Sequence, residues 1–226
     1  MIVSDIDKRT AYGSSDTLSY SVAQIHCKTD EDRFYHNILH DAESLSISSF
    51  AIFDGHGGAH ASNKCSSVLH DRIISRYLAQ MDCFDVSKSI PGNVSNEFNE
   101  KFFCECVQVA INQIDSEIKL EDKAGTTAVS IFVIQNKKDR THRVLCSWVG
   151  DSGCAMFQKY PNSHEIRSVR MTQDHKPSLG RENDRIHKRG SATQLDSESY
   201  RVSSLIYMRY VFILVVVVWC QLKLCY

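Results

Sequence analysis

The 226-residue chain has almost no excess of either charge, no C-x-x-C pair and no apolar run longer than the eleven residues Tyr210 to Cys220. A net charge of −1 with 23% charged residues removes the electrostatic case for a nucleic-acid partner. Eleven apolar residues fall short of the ~20 that a comfortable membrane-spanning helix needs. The nine cysteines, at 27, 65, 83, 104, 106, 146, 154, 220 and 225, are odd in number. With no N-terminal secretory signal in view, they point to reduced thiols in the cytosol or nucleus. Cys104 and Cys106 stand two apart and project from different faces of a helix, which makes a poor zinc pair. A hydrophobic content of 42% supports an ordinary core, in one domain or one domain plus a tail.

What the chain does hold is Ser49-Phe50-Ala51-Ile52-Phe53-Asp54-Gly55-His56-Gly57-Gly58. The run from Phe50 to Phe53 reads as a short buried strand. Asp54 then emerges where the strand leaves its sheet, held rigidly enough to reach a metal ion. Gly55 has no Cβ, so its backbone carbonyl can approach the same ion. His56 follows as an imidazole beside that position. Taken alone, the segment is equally a glycine turn after a strand, with a solvated Asp and His.

The rest of the chain divides by periodicity. Residues 1–16 are a polar N-terminal segment. Leu18, Tyr20 and Val22 alternate with Ser19, Ser21 and Ala23, which predicts a half-buried strand. Residues 41–48 read as a polar hairpin or loop. Apolar residues recur at three- and four-residue steps from Ala59 to about Met81, which predicts a helix. A loop is expected from Asp82 to Asn93, and Ser95 as the cap of a second helix reaching about Leu120. Thr127 to Gln135 is rich in β-branched residues and predicts a central strand, with Arg143 to Trp148 returning beside it. Gly150 to Gly153 reads as a tight turn. Ala155 to Gln158 and Glu165 to Met171 read as an antiparallel pair. Leu179 to Arg189 reads as a short basic helix stopped by Gly190. This order predicts an α+β fold of antiparallel sheets with helices packed outside.

Four more segments flank the glycine-rich one. They are Glu31-Asp32, Gly125-Thr126-Thr127-Ala128-Val129, Trp148-Val149-Gly150-Asp151-Ser152, and Met171-Thr172-Gln173-Asp174-His175-Lys176-Pro177. All five together, in this order, resemble the metal-dependent protein serine/threonine phosphatases, the PPM or protein phosphatase 2C-like family. The resemblance implies two stacked antiparallel β-sheets flanked by helices, with metals at one end. It implies hydrolysis of phosphoserine and phosphothreonine in phosphoprotein substrates by a water activated between two Mg²⁺ or Mn²⁺ ions. Hard oxygen ligands suit those ions.

Carried over residue by residue, Asp54 would bridge the metals, and Glu31 with the Gly55 carbonyl would hold one of them. Asp32 would orient water from behind. His56 would be the general acid, protonated near neutral pH in an acidic neighbourhood. Asp151 would hold a weaker metal, or else bond its own turn. The Asp174–Pro177 segment is expected to be structural, an Asx-type turn capping a helix, with His175 outside the chemistry. Two positions depart from the family. Cys27 stands where many members carry a phosphate-gripping Arg, leaving Lys28 as a weak phosphate-binding candidate or an exposed lysine. Gly153 stands where an Arg usually follows the Gly-Asp-Ser turn.

The resemblance covers residues 17–201 as a partial domain. The later family motifs, including a second Asp-Gly and a final Asp-Asn, are not found, so the binuclear centre is incomplete in the sequence as written. A catalytically incomplete pseudophosphatase acting as a binding module is therefore the rival reading. Residues 202–226 fall outside the family pattern. Residues 205–222 would be a membrane anchor on one reading and a buried strand on another. On a third they are a translated intron, because Val202-Ser203 can be encoded GTA-AGT. A monomer is expected, cytoplasmic or nuclear unless the tail anchors it to a membrane.

Overall fold

The computed structural model describes residues 8–14, 19–25, 30–86, 98–121, 124–159, 165–176, 178–188, 192–194, 200–202 and 213–215. β1 (Lys8–Ser14) and β2 (Ser19–Ile25) form an antiparallel hairpin. β3 (Arg33–Asp41) and β4 (Leu45–Phe53) follow, then the two-residue β5 (Gly55–His56). Two helices come next, α1 (His60–Val86) and α2 (Glu100–Glu121). After them run β6 (Gly125–Thr126), β7 (Ala128–Asn136), β8 (Thr141–Val149), β9 (Gly153–Lys159) and β10 (Ile166–Arg170). The described chain ends with α3 (Gly180–Lys188), β11 (Ala192–Gln194), β12 (Tyr200–Val202) and β13 (Ile213–Val215).

The main sheet has the order β3-β4-β7-β8, antiparallel throughout. Its register pairs Arg33 with Phe53, Ile52 with Val129, and Ala128 with Val149. The start of β3, the end of β4, the start of β7 and the end of β8 therefore share one end of the sheet. That end gathers the motif residues.

The period of two sorts each strand's side chains between two faces. On one face Ile47, Ala51, Phe53, Phe132 and Ile134 meet Leu69, Ile73 and Tyr77 of α1 and Phe103, Val107 and Ile114 of α2. Phe103 and Phe132 meet edge to face at 5.0 Å and 81°. On the other face Phe50, Val129, Ile131 and Val133 pack with Cys154 of β9, and Met171 closes the cluster. β7 is buried on both faces, which is why its sequence reads as a nearly continuous apolar run. Each large apolar side chain buried this way is worth about 1.5–3 kcal/mol.

The helices are tied to each other as well as to the sheet. Glu117 of α2 takes Arg72 in a bidentate pair at 2.7 and 3.1 Å, and Lys64 at 3.2 Å. Tyr77 Oη accepts the Asn99 N–H at 2.9 Å. His70 is 1% exposed, stacked on Tyr35 at 4.1 Å, with Nε2 3.2 Å from Ser130 Oγ.

The α+β architecture agrees with the sequence, with several corrections. Of the two readings for residues 41–48, the hairpin is the one formed: β3 and β4 pair across a turn at 42–44, and β4 already runs from Leu45. Strand β3 was not foreseen. Helix α1 continues past Met81 to Val86, into the expected loop. The cap of α2 is Asn99, whose Oδ1 accepts the Phe102 N–H at 3.0 Å, while Ser95 lies outside the described residues. The β9–β10 pair forms as expected, and β13 adds to β9 in parallel, so that sheet is not purely antiparallel. Gly190 and most of residues 202–226 lie outside the described residues. Among the described residues no helix is long and apolar enough to cross a membrane.

Candidate metal centre

Asp54 leaves β4 at the gathered end of the sheet. Its backbone is pinned on both sides by β6 and the start of β7. The Asp54 N–H donates to Thr127 Oγ1 at 3.2 Å, and its carbonyl accepts from Thr127 N at 2.9 Å and Thr126 Oγ1 at 3.1 Å. The Gly-Thr-Thr-Ala segment thus clamps the aspartate.

Glu31 and Asp32 arrive from the loop before β3. The Gly55 N–H donates to Asp32 Oδ1 at 3.2 Å, and the Gly58 N–H to Glu31 Oε1 at 2.8 Å. Ser62 of α1 donates to the Glu31 carbonyl and to the Ala59 carbonyl. Arg33 stiffens the same loop, with Nη1 on the carbonyls of Asp30 at 2.9 Å and Asp32 at 2.6 Å, and Nε on Asn63 Oδ1 at 2.5 Å. A Cβ at Gly55 would fall 2.2 Å from the Glu31 carbonyl oxygen and 2.9 Å from Ser62 Oγ. Only glycine allows the two backbones this close.

The opposite wall is the turn after β8. Gly150 has φ +96°, and a Cβ there would lie 2.7 Å from Thr127 Cγ2. Ser152 Oγ meets Thr127 Oγ1 at 2.6 Å, so one threonine joins the Asp54 and Asp151 segments. Asp151 is buried, with Oδ2 3.8 Å from Lys176 Nζ.

The acidic groups act on one another. Burial, and then the charges of Asp32 and Asp151, push the Asp54 carboxyl up to about 7; its hydrogen bond to Asp32 and the charge of Glu31 add to this. Asp32 is also raised, chiefly by burial, against the lowering effect of the Gly55 N–H. Carboxylates that crowd one another in this way call for a cation. Carboxylates and a glycine carbonyl are hard oxygen donors, a chemistry that suits a divalent ion of the magnesium class. Among the described residues no three His, Cys, Asp or Glu side chains yet converge as a ligand set. Glu31 and Asp32 are turned to backbone N–H groups and Asp151 to Lys176.

His56 is 7% exposed and lies over Gly125, where a Cβ would come 2.4 Å from Nε2. Its Nε2 is buried and has no hydrogen-bond partner. Burial lowers the imidazole pKa, and the opposing charges of Glu31 and Asp151 do not overcome it. The acidic neighbours expected to favour a protonated His56 are thus opposed by desolvation.

The structure brings Glu31, Asp32, Asp54, Gly55, His56 and Asp151 to one end of one sheet. Lys28 and Cys27 lie outside the described residues. Beside Gly153, the Arg170 Nη2 of β10 stands 3.7 Å from where a Cβ would be, and Arg170 pairs with Asp174. Sequence reasoning missed several supports: Ser62, Arg33, Thr127, Ser152 and Lys176. It also undervalued the 174–176 segment. His175 Nδ1 accepts the Gly150 N–H at 3.3 Å, and the His175 N–H donates to the Gly150 carbonyl at 3.0 Å. Lys176 Nζ bridges Asp174 at 2.8 Å and Asp151. The segment is structural, as expected, and braces the Asp151 turn.

A family model described as Protein phosphatase 2C matches residues 23–204. The chain belongs to the protein phosphatase 2C family. Metal dependence is a general property of that family. Among curated relatives, "Probable protein phosphatase 2C 42" of Oryza sativa subsp. japonica is 22% identical, over 89% of this chain and 59% of its own length. "Integrin-linked kinase-associated serine/threonine phosphatase 2C" of Bos taurus is 25% identical, over 82% of this chain and 50% of its own. The chain thus spans between half and three-fifths of these two relatives. The solved structure of serine-threonine phosphatase 2C from Toxoplasma gondii shares the fold, at TM-score 0.50 and 18% identity, over 84% of this chain and 62% of that one.

Proposed function

We propose that the protein hydrolyses phosphoserine and phosphothreonine in protein substrates, dependent on Mg²⁺ or Mn²⁺. The observation that carries this reading is the half-buried Asp54 carboxyl, pushed up by burial and by the charges of Asp32, Asp151 and Glu31, with an unpartnered imidazole nitrogen nearby at His56. Divalent cations bound there would shield phosphate charge and acidify a water at neutral pH. Asp54 and Glu31, with the Gly55 carbonyl, are the groups that would hold them, and Asp151 a further one.

The chain's own residues supply the rest. The Thr127 clamp holds Asp54 in place, so little reorganisation is needed during reaction. Asp32 accepts from the Gly55 N–H and stands behind Asp54, where it can orient water. His56 Nε2 faces no protein acceptor, so an incoming phosphate oxygen is the natural one. That negative charge would favour the imidazolium, which burial otherwise disfavours. The proton on His56 then passes to the departing serine or threonine oxygen.

The test is release of phosphate from a phosphothreonine peptide with and without Mn²⁺, using the full-length protein. Asp54→Asn should abolish turnover, and His56→Gln should slow it by about 10²–10⁴-fold. Metal-independent turnover, or full activity in Asp54→Asn, would sink the reading. The Lys176–Asp151 pair favours one rival, a binding module that takes no metal at Asp151. Mn²⁺ titration separates the two, because the rival predicts no saturable binding that Asp54→Asn removes.

A further inference from the structure

One side chain grips the acidic arm that carries Glu31 and Asp32. Arg33 opens β3, yet its guanidinium turns back along the loop before it. A single nitrogen, Nη1, donates to the Asp30 carbonyl at 2.9 Å and to the Asp32 carbonyl at 2.6 Å, and it stands 3.5 Å from the Asp30 carboxylate. Nε donates to Asn63 Oδ1 of α1 at 2.5 Å. The Glu31 carbonyl between the two gripped ones is held separately, by the Ser62 hydroxyl of the same helix. We infer that Arg33 is a positioning residue for Glu31: its clamp on the two flanking carbonyls, anchored at Asn63, fixes where the Glu31 carboxylate stands at the gathered end of the sheet. The effect on a bound cation rests on the metal-site reading above; the clamp itself does not.

The arm needs such a hold. Residues 30–32 precede β3 and belong to no strand or helix. Asp30 has φ +42°, in the left-handed region that L side chains enter only at a cost. Three successive carbonyls, of Asp30, Glu31 and Asp32, are nevertheless all bonded to side chains. With the backbone fixed, each acidic side chain reaches a backbone donor of the glycine-rich segment. Glu31 Oε1 accepts the Gly58 N–H at 2.8 Å, and Asp32 Oδ1 accepts the Gly55 N–H at 3.2 Å. Loosening Arg33 therefore loosens both carboxylates together. Lysine cannot stand in for it. An ammonium carries its donors on one atom, whereas the guanidinium spreads Nε and Nη1 in a planar fork that spans the carbonyls and Asn63 at once.

The test is amide exchange, followed by NMR, in the full-length protein after dialysis against EDTA. In the wild type the Gly55 and Gly58 amides should exchange more slowly than that of exposed Gly57. In Arg33→Lys both should exchange about tenfold faster, while the amides of β4 and β7 keep their rates and show the fold intact. Asn63→Ala should act in the same direction. Asn63→Asp keeps an acceptor for Nε and should restore the wild-type rates. Unchanged Gly55 and Gly58 rates in Arg33→Lys would overturn the proposal. So would equal acceleration throughout β4 and β7, which would make Arg33 a prop of the whole fold. Calorimetry with Mn²⁺ alone then compares the wild type with Arg33→Lys, and a loss of about tenfold in affinity is expected. Equal affinity refutes the positioning of Glu31. A wild type that binds no Mn²⁺ refutes the metal reading instead, and the exchange rates then decide the clamp on their own.

Discussion

His70 should make the fold acid-sensitive well above the range where carboxylates titrate. The ring is enclosed by Tyr35, Phe53 and Phe132, and among the described residues Ser130 is its one hydrogen-bonding neighbour, through Nε2. Its Nδ1 is buried without a partner. Burial pushes the pKa down to about 3, from 6.5 when exposed. The sign follows from proton uptake. The unfolded chain takes the proton first, so the contribution is complete above pH 6.5 and is lost progressively as pH falls toward 3. Each pH step in that window costs about 1.4 kcal/mol, so moving from pH 7 to pH 5 costs about 2 kcal/mol. Against a total of about 5–15 kcal/mol, that is a large share. The assay is urea unfolding at both pH values, for the wild type and for His70→Phe combined with Ser130→Ala. The double change keeps an aromatic ring against Tyr35 and strands no hydroxyl. The wild type should lose about 2 kcal/mol more than the variant between pH 7 and 5. Equal losses in both proteins would refute the argument, and so would an NMR titration placing the His70 pKa above 6.

Other outcomes follow from the site. Gly55→Ala should drive the Glu31 and Asp54 backbones apart and lower metal-dependent kcat by about 10²-fold, measured on phosphopeptide. Thr127→Val removes the hydroxyl shared by Asp54 N–H and Ser152 and should cost about 1–3 kcal/mol in urea unfolding. Phe103→Ala empties the space against Tyr77 and Phe132 and should cost about 3–5 kcal/mol by the same measurement. Lys176→Met frees Asp151 from a cation and should tighten Mn²⁺ binding by roughly threefold to tenfold in calorimetry. Weaker binding would mean that Lys176 serves mainly to brace the turn.

The acidic end of the sheet was legible because its residues interrupt strong patterns. Asp54 ends an apolar run, and Gly55 and Gly58 break any continuation. The helices were legible from their three- and four-residue steps. β3 was not, for a physical reason. Its apolar residues come in pairs, Phe34-Tyr35 and Ile38-Leu39, four apart like a helix face. The register shifts between Ile38 and His40, so the period of two loses phase there. The start of α2 was misplaced because two residues, Ser95 and Asn99, both suit an N-cap, and the tertiary bond from Asn99 to Tyr77 decides between them. The braces at Thr127, His175 and Lys176 join segments far apart in sequence, and no local spacing announces them. The burial that opposes protonation of His56 is not revealed by neighbouring acidic residues alone.

The order β3-β4-β7-β8 gives the acidic end of the sheet two kinds of support. Asp54 and Thr127 hang from the inner strands, while Glu31, Asp32 and Asp151 hang from the outer ones. Amide protons of β4 and β7 exchange with solvent only through global unfolding when both strand faces are sealed. Among the described residues β3 and β8 each pair on one side only, so they can open locally. Slow-exchanging amides should therefore stop at Asp54 and Thr127, with faster exchange on both flanks. Ligand capture would then proceed from a fixed centre outward, with the two outer strands closing onto an aspartate that never moves.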